Sequence, residues 1–267
     1  METAAERPYS LHSENECDRL EFQAQVARIE EHLRYLDIPA RARILDAGCG
    51  SGSMTRLLAK HYPGASVTGF DLNTDYLAYA RARAAAEGLG NVAFEPGDLQ
   101  AMQFADASFD AVWSKFVLFF LPRPEDAVRE LRRVTRPGGQ VTVALIHANW
   151  IHHYPVDPAL QRDLARVMPM IADIYLAERL PLMFMRAGLV DVTMRAEADR
   201  LNTYIGSASA AQRRNVEDLL RGGRPAVIRA LGSEAAADLF VKAYLDYIDR
   251  SDTCSYTMLW FVQGRAP

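Results

Sequence analysis

Along the first third of the chain the apolar positions change their period in a regular way. Leu20, Phe22, Val26, Ile29, Leu33 and Leu36 recur at mostly helical spacing and predict a helix over residues 14–36, closed by Pro39. Residues 42–47 then form a short apolar run, a strand, stopped by a glycine-rich turn at 48–52. A helix over 54–61 follows, and Pro63-Gly64 ends it. The alternation repeats: strand 66–70, Ala-rich helix 74–87, strands 91–95 and 109–113, helix 125–134, strand 140–146. Five short strands alternating with helices over about 100 residues predict a doubly wound α/β fold, a mostly parallel sheet covered on both faces.

After residue 146 the pattern turns mainly helical. Helices are expected over 157–168, 174–187, 208–221 and 224–247, with strands at 190–197 and 257–263. Two late strands would complete a seven-stranded sheet, and the helices between them would form a cap. The expected organisation is an N-terminal helical lid (1–38), a core (39–147) and a sheet-completing segment with cap insertions (148–267), all in one structural domain.

Composition narrows the partners. Hydrophobic residues make up 49% and charged residues 24%, as in ordinary globular chains. Asp plus Glu is 34 against 30 for Lys plus Arg, a net charge of −4 without the basic stripe that nucleic acid or anionic lipid would need. The first 11 residues lack the pattern of a signal peptide, and no run approaches a membrane span of roughly 18 residues. Cys17, Cys49 and Cys254 are few, odd in number and dispersed, which favours a reducing cytoplasm over a disulfide framework. A cytoplasmic protein with no nucleic-acid or membrane partner is expected.

The chemistry concentrates in Ile44-Leu-Asp-Ala-Gly-Cys-Gly-Ser-Gly52. Gly48, Gly50 and Gly52 let the backbone approach a ligand, yet their spacing fits neither G-x-G-x-x-G nor a Walker loop. Asp71, at the end of the second strand, is placed to accept hydrogen bonds from both hydroxyls of an adenosine ribose. Asp98, just after the third strand, can accept from an adenine amino group, with Leu72 and Leu99 as apolar surface for the ring. Each aspartate could instead be a helix N-cap; their register with the glycine turn favours a ligand.

With these residues in view, the chain resembles the class I S-adenosylmethionine (SAM)-dependent methyltransferases. The matching pieces are Leu45-Asp-Ala-Gly-Cys-Gly-Ser-Gly, Gly69-Phe-Asp-Leu, Gly97-Asp-Leu, Phe109-Asp-Ala-Val-Trp-Ser and Leu131-Arg-Arg-Val-Thr-Arg-Pro-Gly-Gly, in order, over roughly residues 40–146. The resemblance implies a Rossmann-like methyltransferase fold with SAM as cofactor and S-adenosylhomocysteine (SAH) as product. It also implies that Gly48 and Gly50 lie beside the methionine end, that Asp46 faces its amino group, that backbone near Ser114 and Lys115 closes the site, and that Tyr9 folds over the cofactor. Where many members read Leu-Glu-His-Leu, this chain has Leu118-Phe-Phe-Leu121. That departure hints at an apolar or aromatic acceptor, with Phe116, Phe119 and Trp150 as candidate contacts, although plain packing also accounts for two phenylalanines.

His147, His152 and His153 cluster after the fifth strand. One of them is a candidate general base, against the plainer reading of a polar loop; with no acid between 147 and 154, a metal site is not expected. Met168, Met170, Met183, Met185 and Met194 read mainly as core, and Lys115 as a snorkelling surface residue. The expected function is methyl transfer to the O, N or C of a small organic acceptor, such as a secondary metabolite, with specificity set by the cap, including residues 148–170. The alternatives are a SAM-fold cyclase or binding module, and a protein or RNA methyltransferase. A homodimer through the late helices is possible.

Overall fold

The computed structural model describes residues 16–146 and 152–267. Helix α1 (Glu16–Val26) leads through a 3-10 helix (Ile29–Tyr35) into β1 (Arg43–Ala47), α2 (Ser53–His61), β2 (Ser66–Asp71), α3 (Thr74–Ala86) and β3 (Val92–Pro96). Strand β4 (Phe109–Lys115), a 3-10 turn (Leu118–Phe120), α4 (Pro124–Val134) and β5 (Thr135–Ile146) complete the first half. The second half runs β6 (His152–Tyr154), α5 (Pro158–Ile171), α6 (Leu176–Arg186), β7 (Val190–Ala198), β8 (Tyr204–Ile205) and α7 (Ala210–Gly222). It closes with α8 (Arg224–Leu231), α9 (Glu234–Ile248), β9 (Cys254–Tyr256) and β10 (Met258–Arg265).

The main sheet has seven strands in the order β3-β2-β1-β4-β5-β10-β7. Strands β1 to β5 pair in parallel; β10 runs antiparallel to both β5 and β7. This is the doubly wound, mostly parallel sheet expected from the sequence, completed by its two late strands. The apolar residues of β1 show why both faces must be covered. Leu45 packs into a core with Val112, Leu131 and Val143, on the side of α4. Its neighbour Ile44 packs the opposite way, with Met54 and Leu58 of α2, Val67 and Trp113. A strand whose successive side chains are both fully buried can exist only between two helical layers.

Three elements differ from the sequence expectation. The helix expected over 14–36 breaks where Arg28 adopts a left-handed backbone (φ 50°). Beyond the break the chain lies over the sheet, with Tyr35 stacked on Phe261 at 4.1 Å. An i, i+3/i+4 apolar pattern is the same for one helix or two bent pieces, so periodicity could not see this. The helix expected over 224–247 is likewise two: Gly232 (φ 91°) ends α8, and the Ser233 hydroxyl accepts from the Ala236 N–H to cap α9. A second sheet, β6-β9-β8, was not anticipated. Its strands of two or three residues are too short to show a period of two.

Candidate functional site

A cavity of about 780 Å³ opens at the carboxyl ends of β1, β2 and β4, where open α/β sheets bind ligands. Its floor is the glycine turn. Gly48 sits at φ 80° and donates its N–H to the Phe70 carbonyl at 2.7 Å. A Cβ at Gly48 would meet Val117 Cγ2 at 2.2 Å, so the absent side chain lets the chain leaving β4 lie directly on the turn.

Asp46, Gly48, Gly50, Asp71, Leu72, Asp98 and Leu99 all line this cavity. The Asp71 carboxylate accepts the N–H of Gly50 and of Asn73, each at 2.9 Å. It is not the cap of α3, a role filled by Asn73, whose side chain accepts from Asp75 and Tyr76. Burial raises the Asp71 carboxyl, opposed by those backbone donors. Asp98 accepts from the backbone and side-chain amides of Gln100, holding the loop after β3. Leu72, beside these acids, is 72% exposed and lines the cavity.

Asp46 is buried, and its Oδ2 accepts the Thr55 hydroxyl at 2.6 Å. Burial, with a smaller push from Asp71, lifts its carboxyl to about 7. Over the mouth lie Arg19, Leu20, Gln23 and Ala24 of α1, together with Asn215 and Leu219 of α7. Helix α1 is pinned to α2, because Glu21 accepts from Ser53 at 2.7 Å and forms an ion pair with the buried Arg56.

The remaining candidates separate. Phe116 and Phe119 line the cavity, and Phe119 also packs edge-on to Phe120 at 4.4 Å. Ser114 does not line it. Strand alternation turns Trp113 and Lys115 to the cavity and buries Ser114 on the other face. Lys115, read from the sequence as a surface residue, is therefore a half-buried cavity residue. His152 and His153 fall in β6, outside the cavity lining. His152 stacks on Tyr256, while His153 bonds Ser255 at 2.8 Å between Tyr244 and Tyr247. Burial pushes His153 down to about 4, so it sits there neutral. None of the five clustered methionines lines the cavity, and neither does α5 within the segment 148–170. Tyr9, His147 and Trp150 lie outside the described residues.

Sequence reasoning missed Arg19, Asn202 and Asn215, and it took the side chain of Lys115, whose backbone the resemblance put near the site, for a surface group. Only Lys115 carried a usable signal, two residues beyond Trp113 on the same strand. The others are brought in by helices and loops whose orientation no local pattern encodes. Among the described residues no cluster of His, Cys, Asp and Glu could hold a metal ion.

Residues 45–143 match the family model described as a methyltransferase domain. A malonyl-[acyl-carrier protein] O-methyltransferase of Erwinia pyrifoliae is 41% identical over 139 residues, 51% of this chain and 46% of the relative. The enzyme of that name from Erwinia billingiae is 34% identical over 167 residues, 60% of this chain and 62% of the relative. The matched stretch thus spans less than two thirds of these curated relatives. Among solved structures, the [4+2]-cyclase SpnF superposes with a TM-score of 0.60 at 22% identity, covering 92% of this chain and 82% of that one. Phosphoethanolamine N-methyltransferase 2 of Haemonchus contortus, in complex with SAM, superposes with a TM-score of 0.61 at 19% identity, covering 96% and 57%. Likeness at that identity concerns the fold alone. Residues 45–143 thus carry a methyltransferase domain, and the sequence relatives that share it are methyltransferases.

Proposed function

We propose that this protein binds SAM in the cavity and transfers its methyl group to a small organic acceptor. One observation carries the reading: Asp46, Asp71 and Asp98, from three different strand ends, line a single cavity around the glycine turn. The donor and acceptor set fits the cofactor. Asp71 and Asp98 are acceptors suited to ribose hydroxyls and an adenine amino group, and the exposed Leu72 offers a face for the ring. Asp46, buried and raised to about 7, gains a cationic partner if the methionine amino group lies beside it.

When bound, SAM supplies a methyl carbon already activated by its positive sulfur. The chain's own work is then orientation and exclusion of water, which can be worth roughly 7–11 kcal/mol of a displacement barrier. The glycine turn and Asp71 hold the cofactor side, while Phe116, Phe119 and Phe120 wall the acceptor side. Helices α1 and α7 roof the site. No histidine among the described residues lines the cavity, so the acceptor is one that reacts without a histidine base from β6.

The three cysteines are free, and we place the protein in the cytoplasm. The second reading is the same fold turned to cyclisation, the alternative that the sequence left open. The deciding experiment follows methyl-labelled SAM in a cell extract that is then fractionated by size. Label in small molecules is expected. Label in protein or RNA would overturn the substrate class. Cofactor binding without label transfer to any acceptor library would favour the second reading.

A further inference from the structure

Lys115 ends β4, paired with Ala144 of β5, and its side chain enters the cavity. The next residue, Phe116, holds a left-handed backbone (φ 59°), uncommon for a bulky side chain. Such conformations persist where the surroundings over-determine them. Here the Phe116 N–H donates to the Ala144 carbonyl at 3.0 Å, and Val117 lies on Gly48. The backbone that carries Lys115 is therefore held relative to the glycine turn, with its side chain in the cavity lining.

Its ammonium is a cation in want of an anion. Among the described residues no carboxylate lies within ion-pair distance of Nζ; its close contact is the Phe116 ring, 4.7 Å away. Asp199, which accepts from Asn202 at 2.6 Å, and Glu197, which pairs with Arg34 and accepts from Tyr35, are near enough to be felt but make no direct contact with it. Burial lowers Lys115 to about 8, which leaves it charged at neutral pH. Around it the wall is aromatic, from Phe116, Phe119 and Phe120, with Asn202 as a neutral hydrogen-bonding group on the same lining.

We infer that Lys115 is a specificity residue that anchors a carboxylate of the acceptor, so that the substrate class is an apolar or aromatic body bearing an acid group. The inference rests on the cavity being a SAM methyltransferase site. A cavity-lining ammonium that touches no carboxylate among the described residues gains from a ligand that brings one, since charge-assisted hydrogen bonds are about twice as strong as neutral ones.

The test is equilibrium binding to the protein saturated with SAH, so that no turnover is involved. The probes are 2-naphthoate and its uncharged analogue 2-naphthamide, titrated calorimetrically. Wild-type protein is expected to prefer the carboxylate by about tenfold. Lys115→Met is expected to abolish that preference, and Lys115→Arg to keep most of it. SAH binding by each variant reports that it has folded. Equal affinity of the wild type for both probes, binding of neither, or a preference surviving in Lys115→Met would overturn the anchor. Failure of SAH itself to bind the wild type would overturn the underlying reading of the site as well.

Discussion

The floor of the cavity, which we propose is the cofactor side, and the rest of its lining, where we propose the acceptor binds, are built in opposite ways. On the cofactor side every lining aspartate comes from a strand end or the residue or two beyond it, all between positions 46 and 98, and the parallel sheet sets their spacing. Elsewhere the lining comes from Arg19 in α1, Lys115 at the tip of β4, Asn202 in a loop and Asn215 in α7. The first side is a local motif repeated along a regular scaffold. The second is an encounter of segments distant in sequence. A sheet can carry one cofactor site through many sequences, while the roof above it is free to change the acceptor.

The largest expected effect breaks the cofactor side at its floor. Gly48→Ala must hold alanine in a left-handed conformation, costing about 1–2 kcal/mol. It must also displace Val117, costing about 1–3 kcal/mol more. Thermal unfolding and SAH titration should both record the loss, and adding Val117→Ala should recover part of it. A Gly48→Ala variant as stable as wild type would show that the β4 extension does not rest on the turn.

Asp71→Ala comes next. Loss of hydrogen bonds to a charged acceptor, about 1.5–3 kcal/mol, weakens SAH binding roughly tenfold to hundredfold. Unchanged affinity would remove Asp71 from the cofactor side.

Asp46 sharpens the comparison through pH. Its folded carboxyl lies at about 7 against an ordinary 3.8, because burial disfavours the charge. Its contribution to stability is therefore fully present below about pH 4 and is lost as pH rises through about 7. Cofactor binding runs the other way. An ammonium beside Asp46 favours the carboxylate, so affinity should fall as pH drops below 7, by up to about tenfold per unit. Calorimetry in buffers of different ionisation enthalpy should detect proton release on binding near pH 6, and Asp46→Asn should abolish it. No proton release would separate Asp46 from the ligand charge.

The smallest effect is expected at His152. Stacked on Tyr256 in the small sheet, it is outside the lining, so His152→Ala should leave methyl transfer within about twofold, inside the range of a surface substitution. A large fall in turnover with intact SAH affinity would return it to the acceptor side.

Much of the cofactor side was legible in the chain before any coordinates. The run 44–52 announces a buried strand entering a turn, and aspartates at 71 and 98 recur at the next two strand ends. A parallel sheet leaves those residues only one place to be, because its strands are in register and their carboxyl ends share one edge. Whether Asp71 caps a helix or faces a ligand cavity was a different matter. It was decided when Asn73 proved to be the cap.

The sequence by itself determined the alternation of strands and helices over residues 42–146, the two-faced burial of the sheet and the set of acids at its edge. These follow from short-range periodicity and from turn chemistry, which are local properties of the chain. Tertiary structure alone decided that the helical run over 14–36 breaks at Arg28 and that Gly232 divides another into two. It also decided that His153 is locked among tyrosines and that Lys115 enters the cavity rather than solvent. Those outcomes depend on which distant surfaces meet, and the free energy of such meetings is not encoded in any single stretch of residues.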